Sequence, residues 1–180
     1  MKKYVALLRG INVGGNNKVA MPKLKECFES LGYRNVITYI NSGNIIFETK
    51  KVDQKKITKE IEAIIKTAFN LDIRVLLRDS VNIKKVCSLI SSEWTNDKEQ
   101  RCDVLFLWDE FANKKSVDLI EINPAVDTLK YIEGAVVWHF DKKYYTKSKM
   151  HKFIGTTIYK HMTARNINTV RKIASLMEQN

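Results

Sequence analysis

The sequence predicts an α+β fold of two packed ferredoxin-like halves, the split βαβ or α-β plait arrangement. Three observations lead there. Strand-like and helix-like periods alternate as β-α-β-β-α-β over residues 1–79. A weaker version of the same rhythm, ending in a strong amphipathic helix, occupies residues 80–180. Glycines stand at the joints, with Gly32 closing a helix and Gly43 and Gly134 inside hairpin turns.

Lys3–Leu8 reads as a strand because it is apolar without interruption. Pro22–Leu31 reads as a helix. Pro22 suits the first helical position, and Leu24, Cys27, Phe28 and Leu31 recur at i, i+3, i+4 and i+7. Val36–Ile40 and Ile45–Glu48 are strands joined by the tight turn Asn41-Ser42-Gly43-Asn44. Asp53 opens a helix that runs to Phe69, with Ile57, Ile61, Ile64, Ile65 and Ala68 on one face, and Ile73–Arg78 is the fourth strand.

In the second half, a helix over Val81–Ser91 precedes a strand over Asp103–Trp108 and a short helix near Asn113–Glu121. Strands Thr128–Ile132 and Ala135–Asp141 flank a Glu133-Gly134 turn, and Tyr144–Met162 reads as partly helical. Asn168–Glu178 is the last helix, capped by Asn168 or Thr169, with Val170, Ile173, Ala174 and Met177 on one face. No internal sequence repeat and no low-complexity linker is visible.

Apolar content of 44% and charged content of 28% in 180 residues describe an ordinary globular chain. No apolar run approaches the roughly 20 residues that span a bilayer. The apolar run after Met1-Lys2-Lys3-Tyr4 stops at Arg9 without a signal-peptide cleavage site. Cys27, Cys87 and Cys102 are widely spaced and odd in number, which suits a reducing compartment. The expectation is a cytoplasmic protein without a membrane partner. The net charge of +11 is uneven: residues 1–90 carry 17 Lys and Arg against 8 Asp and Glu, and 141–180 carry 9 against 2. Residues 91–140 are acidic, with 5 against 10. A positive face toward a polyanion is one consequence, and solvated lysine-rich helix faces are the plainer one.

Chemistry concentrates in Leu8-Arg9-Gly10-Ile11-Asn12-Val13-Gly14-Gly15-Asn16-Asn17, between the first strand and the first helix. Such a loop can offer backbone N–H groups and amides to an anion. It is neither a Walker A loop, which needs G-x-x-x-x-G-K-[ST], nor the Rossmann G-x-G-x-x-G. In the predicted topology the end of the first strand and the Asn41–Asn44 turn share one sheet edge. Arg9, Asn12, Gly14, Gly15, Ser42, Gly43 and Asn44 are therefore candidate ligand contacts. Arg165, Asn166 and Thr169 are a second set, because a guanidinium beside a helix N-terminus can share an anion with free N–H groups. The sharper expectation is that both sets form one site. The plainer alternative is that glycines and asparagines only shape tight loops, and that Arg165 flanks an ordinary cap.

Catalytic patterns are sparse. His139, His151 and His161 are scattered, Ser42 has no local base, and no His/Cys/Asp/Glu spacing recommends a metal. No cofactor is implied. Trp94, Trp108, Trp138 and Phe47 read as core. The strand Ile45–Glu48 lacks the aromatic RNA-binding signature of an RRM, and an apolar first strand suits a sheet covered on both faces.

These residues carry a resemblance. Leu8 to Gly15, Met21 to Leu24, Gly32-Tyr33 and Thr38 to Phe47 resemble the family catalogued as domain of unknown function 1697, and Thr163 to Val170 resembles its second signature. Ile167 stands where family members commonly carry an aromatic. The resemblance implies a two-part α+β fold of ferredoxin-like halves and implies no activity. The leading expectation is a protein that binds a phosphate-bearing ligand, nucleic acid or nucleotide, at the glycine-rich edge. The alternatives are a small enzyme acting on an anionic metabolite and a protein–protein adaptor using the acidic 91–140 region.

Overall fold

The computed structural model describes residues 1–179. Among them the chain forms two four-stranded antiparallel sheets and six α-helices, an α+β architecture. It divides into two compact units, Met1–Val81 together with the chain from Ile173 onward, and Asn82–Lys172. Among the described residues no helix is long and apolar enough to cross a membrane.

The first unit runs β1 (Lys2–Leu8), α1 (Met21–Ser30), β2 (Arg34–Tyr39), β3 (Asn44–Thr49), α2 (Gln54–Phe69) and β4 (Val75–Asp79), with sheet order β2-β3-β1-β4. Alternation along β1 and β3 sends Tyr4, Ala6, Leu8, Ile45 and Phe47 into one buried cluster with Phe28 of α1 and Ile57, Ile61 and Ile65 of α2. Tyr33 stacks on Phe47 at 4.6 Å between ring centroids, and Phe28 meets Phe47 edge-on at 5.4 Å. Val5 and Leu7, on the opposite face of β1, are equally buried, which explains why that strand is apolar throughout. Asp53 caps α2 by accepting the Lys56 N–H at 3.1 Å, and Asn70 ends it in the left-handed conformation.

The chain continues with α3 (Ser80–Leu89), β5 (Gln100–Leu107), α4 (Lys114–Asp118), β6 (Thr128–Ile132), β7 (Ala135–Asp141), α5 (Met150–Phe153), β8 (Met162–Asn166) and α6 (Ile167–Glu178). The second sheet has order β6-β7-β5-β8. Leu105, Leu107, Val136, Trp138, Phe140, Met150, Phe153 and Met162 form its core. The carboxylate of Asp127 lies inside this unit, 4% exposed. Its two oxygens accept from Trp138 Nε1 at 3.0 Å, Ser148 Oγ at 2.6 Å, and the N–H groups of Asn123 and Lys149 at 2.9 and 3.0 Å.

Both units brace the end of their first strand in the same way. Leu8 N–H donates to Gly43 C=O at 2.8 Å, and Leu107 N–H donates to Gly134 C=O at 3.0 Å. The next residue, Arg9 or Trp108, then donates to the carbonyl just before the fourth strand, at Arg74 or His161.

Three local expectations are corrected. Asn44 belongs to β3, not to the turn. It pairs with Tyr39 and Leu7, and its wholly buried amide donates to Tyr39 C=O, so the ladder claims it. The turn is therefore Ile40–Gly43, with Ile40 at φ 49°, an uncommon conformation for a β-branched residue. Residues 162–166, read as the approach to a helix, form the strand β8 against β5. Finally, α6 begins at Ile167 and its cap is Asn166, whose Oδ1 accepts the Thr169 N–H at 2.9 Å.

Candidate functional site

The glycine-rich loop is a miniature hairpin. Asn12 N–H donates to Asn17 C=O at 3.1 Å and Asn16 N–H to Val13 C=O at 3.0 Å, leaving Gly14-Gly15 as the two-residue turn. Both glycines have positive φ, 57° and 80°, as a type I′ turn requires. Asn12 at φ 53° and Asn17 at φ 47° occupy the same region, which asparagine tolerates better than other side-chain-bearing residues.

The side-chain amides of Asn12, Asn17 and Asn44 are engaged within the fold. Asn12 Nδ2 donates to Val19 C=O at 3.0 Å and to Asn41 C=O at 2.9 Å, while its Oδ1 accepts Val19 N–H at 2.8 Å. One side chain thus ties the loop base to the β2–β3 turn. Asn17 Nδ2 donates to Gly10 C=O at 2.9 Å, and Asn44 Nδ2 to Tyr39 C=O and to Ser42 Oγ at 3.1 Å. Turned outward are the main chain of the tip and the exposed residues Asn16 and Asn41. Gly14 and Gly15 are exposed, and their N–H groups have no acceptor among the described residues. Lys18, just past the base of the hairpin, is exposed. Gly43 is buried beneath, and Arg9 and Ser42 are half-buried at the base.

Arg165, Asn166 and Thr169 lie in the second unit. Arg165 is 7% exposed, and its Nη1 donates to Thr163 Oγ1 at 2.9 Å and to Ala164 C=O at 2.8 Å. Burial brings this guanidinium down to about 10, against an opposing contribution from Tyr159, so it stays cationic at neutral pH. Thr169 is buried and supplies its N–H to the helix cap. Asn166 is exposed and faces Asp103 across the β5–β8 ladder. With Asn96, Arg101, Asp103 and Lys142 it lines an open depression of about 420 Å³. Arg101 Nε pairs with Asp103 at 2.8 Å. Sequence reasoning missed Arg101 and Lys142. The available signals were the Arg101/Asp103 spacing of two on one strand, which puts both on one face, and the Lys142-Lys143-Tyr144-Tyr145 run.

His139 stacks on Trp94 at 4.7 Å and 3°, with Lys130 over the indole at 4.5 Å and Gln100 Oε1 3.2 Å from its Nε2. Burial holds this histidine below its usual range, partly offset by Asp141. His161 stacks on Phe111 at 3.8 Å. Trp108 and Trp138 are core residues, whereas Trp94 is only half-buried.

These features define an α+β protein of two four-stranded antiparallel sheets, the first with a glycine-rich hairpin after its leading strand. The chain belongs to the family described as "Protein of unknown function (DUF1697)", which matches residues 1–138. Among solved structures it is similar to the conserved bacterial protein SP0830 from Streptococcus pneumoniae. The two share 28% identity over 98% of this chain and 99% of that one, with a TM-score of 0.83. No curated protein matches the chain.

Proposed function

We propose that the protein binds a phosphate-bearing ligand, nucleic acid or nucleotide, at the outer edge of the glycine-rich hairpin. The observation that carries this reading is the pair of consecutive exposed N–H groups at Gly14 and Gly15, with Lys18 exposed just past the base of the same hairpin. Oriented backbone amides in a tight turn attract anions, and a neighbouring ammonium adds to the attraction. Asn12 and Asn17 lock the loop from inside, so little ordering entropy is lost on binding. Arg9, Ser42, Gly43 and Asn44 form the base of this edge.

The same reading takes each unit as a ferredoxin-like plait, supported by the parallel orders β2-β3-β1-β4 and β6-β7-β5-β8. A cytoplasmic setting is supported by three free thiols, two of them buried. The test is calorimetric titration at low salt with pyrophosphate, a mononucleotide and a single-stranded oligonucleotide. Binding to at least one of them is expected to weaken steeply with added salt. It is also expected to weaken by about fivefold in Lys18→Glu, through charge reversal at the base of the hairpin. No binding to any probe, or unchanged binding in Lys18→Glu, overturns the reading.

A further inference from the structure

The segment Lys142–Lys152 carries five lysines, two tyrosines and no carboxylate, with Asp141 just before it. Tyr144 and Tyr145 are left 37% and 47% exposed, so part of each ring meets solvent. Lys143 and Lys147 sit over the Tyr144 ring at 4.9 and 5.7 Å. Tyr145 makes tilted ring contacts with Phe140 and His151, at 6.3 and 5.8 Å between centroids. Lys143 reaches Asp141 only at 3.8 Å and Lys149 pairs with Glu121, whereas Lys147 has no carboxylate within ion-pair distance among the described residues. The loop therefore keeps an excess of positive charge beside two aromatic rings.

The loop is also held in place rather than merely tethered. Asp127 grips it from below through Ser148 Oγ and Lys149 N–H, and Asn123 Nδ2 holds Lys147 C=O at 3.1 Å. Lys142 N–H donates to Glu99 C=O at 2.7 Å, and Met150 and Phe153 anchor the far end in the core. At its near end the Lys142 ammonium donates to Asp97 C=O and borders the depression lined by Arg101 and Asn166. A row of cations with interleaved aromatic rings on a rigid support is what a single strand of nucleic acid requires. Phosphates take the ammonium groups, and unpaired bases stack on the rings. A duplex hides its base faces and gains nothing from the tyrosines.

We propose that Lys142–Lys152 is a docking surface for single-stranded nucleic acid, with Lys143 and Lys147 on phosphates and Tyr144 and Tyr145 stacking bases. This rests on the phosphate-ligand reading for its ligand class, but on different residues. The test is fluorescence anisotropy of the whole protein with labelled 12-nucleotide oligothymidylate and oligouridylate, a 12-base-pair duplex, and pyrophosphate as competitor. Single strands are expected to bind more tightly than duplex. Tyr144→Ala/Tyr145→Ala is expected to weaken single-strand binding by about tenfold or more, as lost base stacking does. Tyr144→Phe/Tyr145→Phe is expected to restore it, and melting curves establish that all variants are folded.

Wild-type affinity in the double alanine variant overturns the proposal, as does duplex binding equal to single-strand binding. Tyrosine-dependent binding to anionic phospholipid vesicles, with none to oligonucleotide, overturns it in favour of a membrane surface. If Lys18→Glu abolishes oligonucleotide binding and the tyrosine variants do not alter it, the hairpin reading stands and this one fails. The opposite pattern sinks the hairpin reading alone. No binding to any probe removes both.

Discussion

Gly43→Ala is expected to be among the most damaging one-atom changes in the first unit. At φ 77° any side chain is strained, at a cost of about 1–2 kcal/mol. The new Cβ would also lie 2.6 Å from Leu8 Cβ and 2.9 Å from Ile11 Cδ1. Leu8 Cβ is fixed to a backbone that Gly43 itself holds through the 2.8 Å Leu8 N–H bond, so no rotamer change relieves the contact. Overpacking of this kind costs about 1–3 kcal/mol, and the lower entropy of the unfolded alanine chain offsets less than about 1 kcal/mol. The net expectation is about 2–4 kcal/mol, or a fall in Tm of roughly 5–15 °C for a chain of this size. Gly15→Ala is the control, because it has positive φ but nothing within 4 Å, and should cost only about 1 kcal/mol. Gly155→Ala, without positive φ and with its nearest contact at 3.6 Å, should change little. Thermal and urea unfolding followed by circular dichroism rank the three. Equal losses in Gly43→Ala and Gly15→Ala would mean that the close approach to Leu8 plays no part.

Asp127→Asn leaves an amide N–H₂ facing groups that donate to a carboxylate oxygen, and should cost about 2–4 kcal/mol in urea unfolding. Burial raises the Asp127 carboxyl, but donors from Ser148, Asn123, Lys149 and Trp138 prevail and hold it below its ordinary value. Its stabilisation is therefore complete above the unfolded carboxyl pKa of about 3.9 and is lost as pH falls through the lower folded value. Urea midpoints between pH 6 and pH 2 should drop more for wild type than for Asp127→Asn, and parallel curves would contradict the assignment. Burial, helped by Asp103, pushes the Cys102 thiol up to about 12, against Arg171 and Lys130. Alkylation at pH 8 should spare Cys102 in the native chain and modify it in urea, and equal rates in both states would refute its burial. Asn12→Ala removes three hydrogen bonds and should cost about 1.5–3 kcal/mol. Asn12→Gly keeps the positive φ and should lose less. Faster amide exchange over residues 12–19 should accompany both, and an unchanged exchange pattern would show that the clamp is dispensable.

What was legible in the sequence follows from how strongly each segment declares its period. The helix behind Asp53 has a cap, a sixteen-residue span and an isoleucine stripe, and it forms where expected. Strand β8 was not legible. Met162-Thr163-Ala164-Arg165-Asn166 is short, mixed in polarity and followed at once by a helix, so only its pairing with β5 makes it a strand. Asn166 as the cap was hidden for the same reason, since Asn168 and Thr169 are equally good capping types. In the glycine-rich stretch, residue type pointed to amides but could not say which way they face. Asn12 and Asn44 turned inward because both lie where main-chain groups of the turn needed partners. The exposed lysines and tyrosines of 142–152 were visible as letters, yet nothing in the sequence tells a supported loop from a slack one. The buried Asp127, fifteen residues upstream of Lys142, supplies that support.

The shared brace at Leu8–Gly43 and Leu107–Gly134 shows how little of the sequence the end of a leading strand demands. Each half closes its leading strand with the same main-chain donor and acceptor, and the following residue repeats the match at Arg74 and His161. Main-chain bonds make no demand on side-chain identity, so the two halves answer one register with different residues, Arg9 and Trp108 as donors and Arg74 and His161 as acceptors. The turn that meets the strand end need only offer a carbonyl there, and a glycine supplies it in both halves.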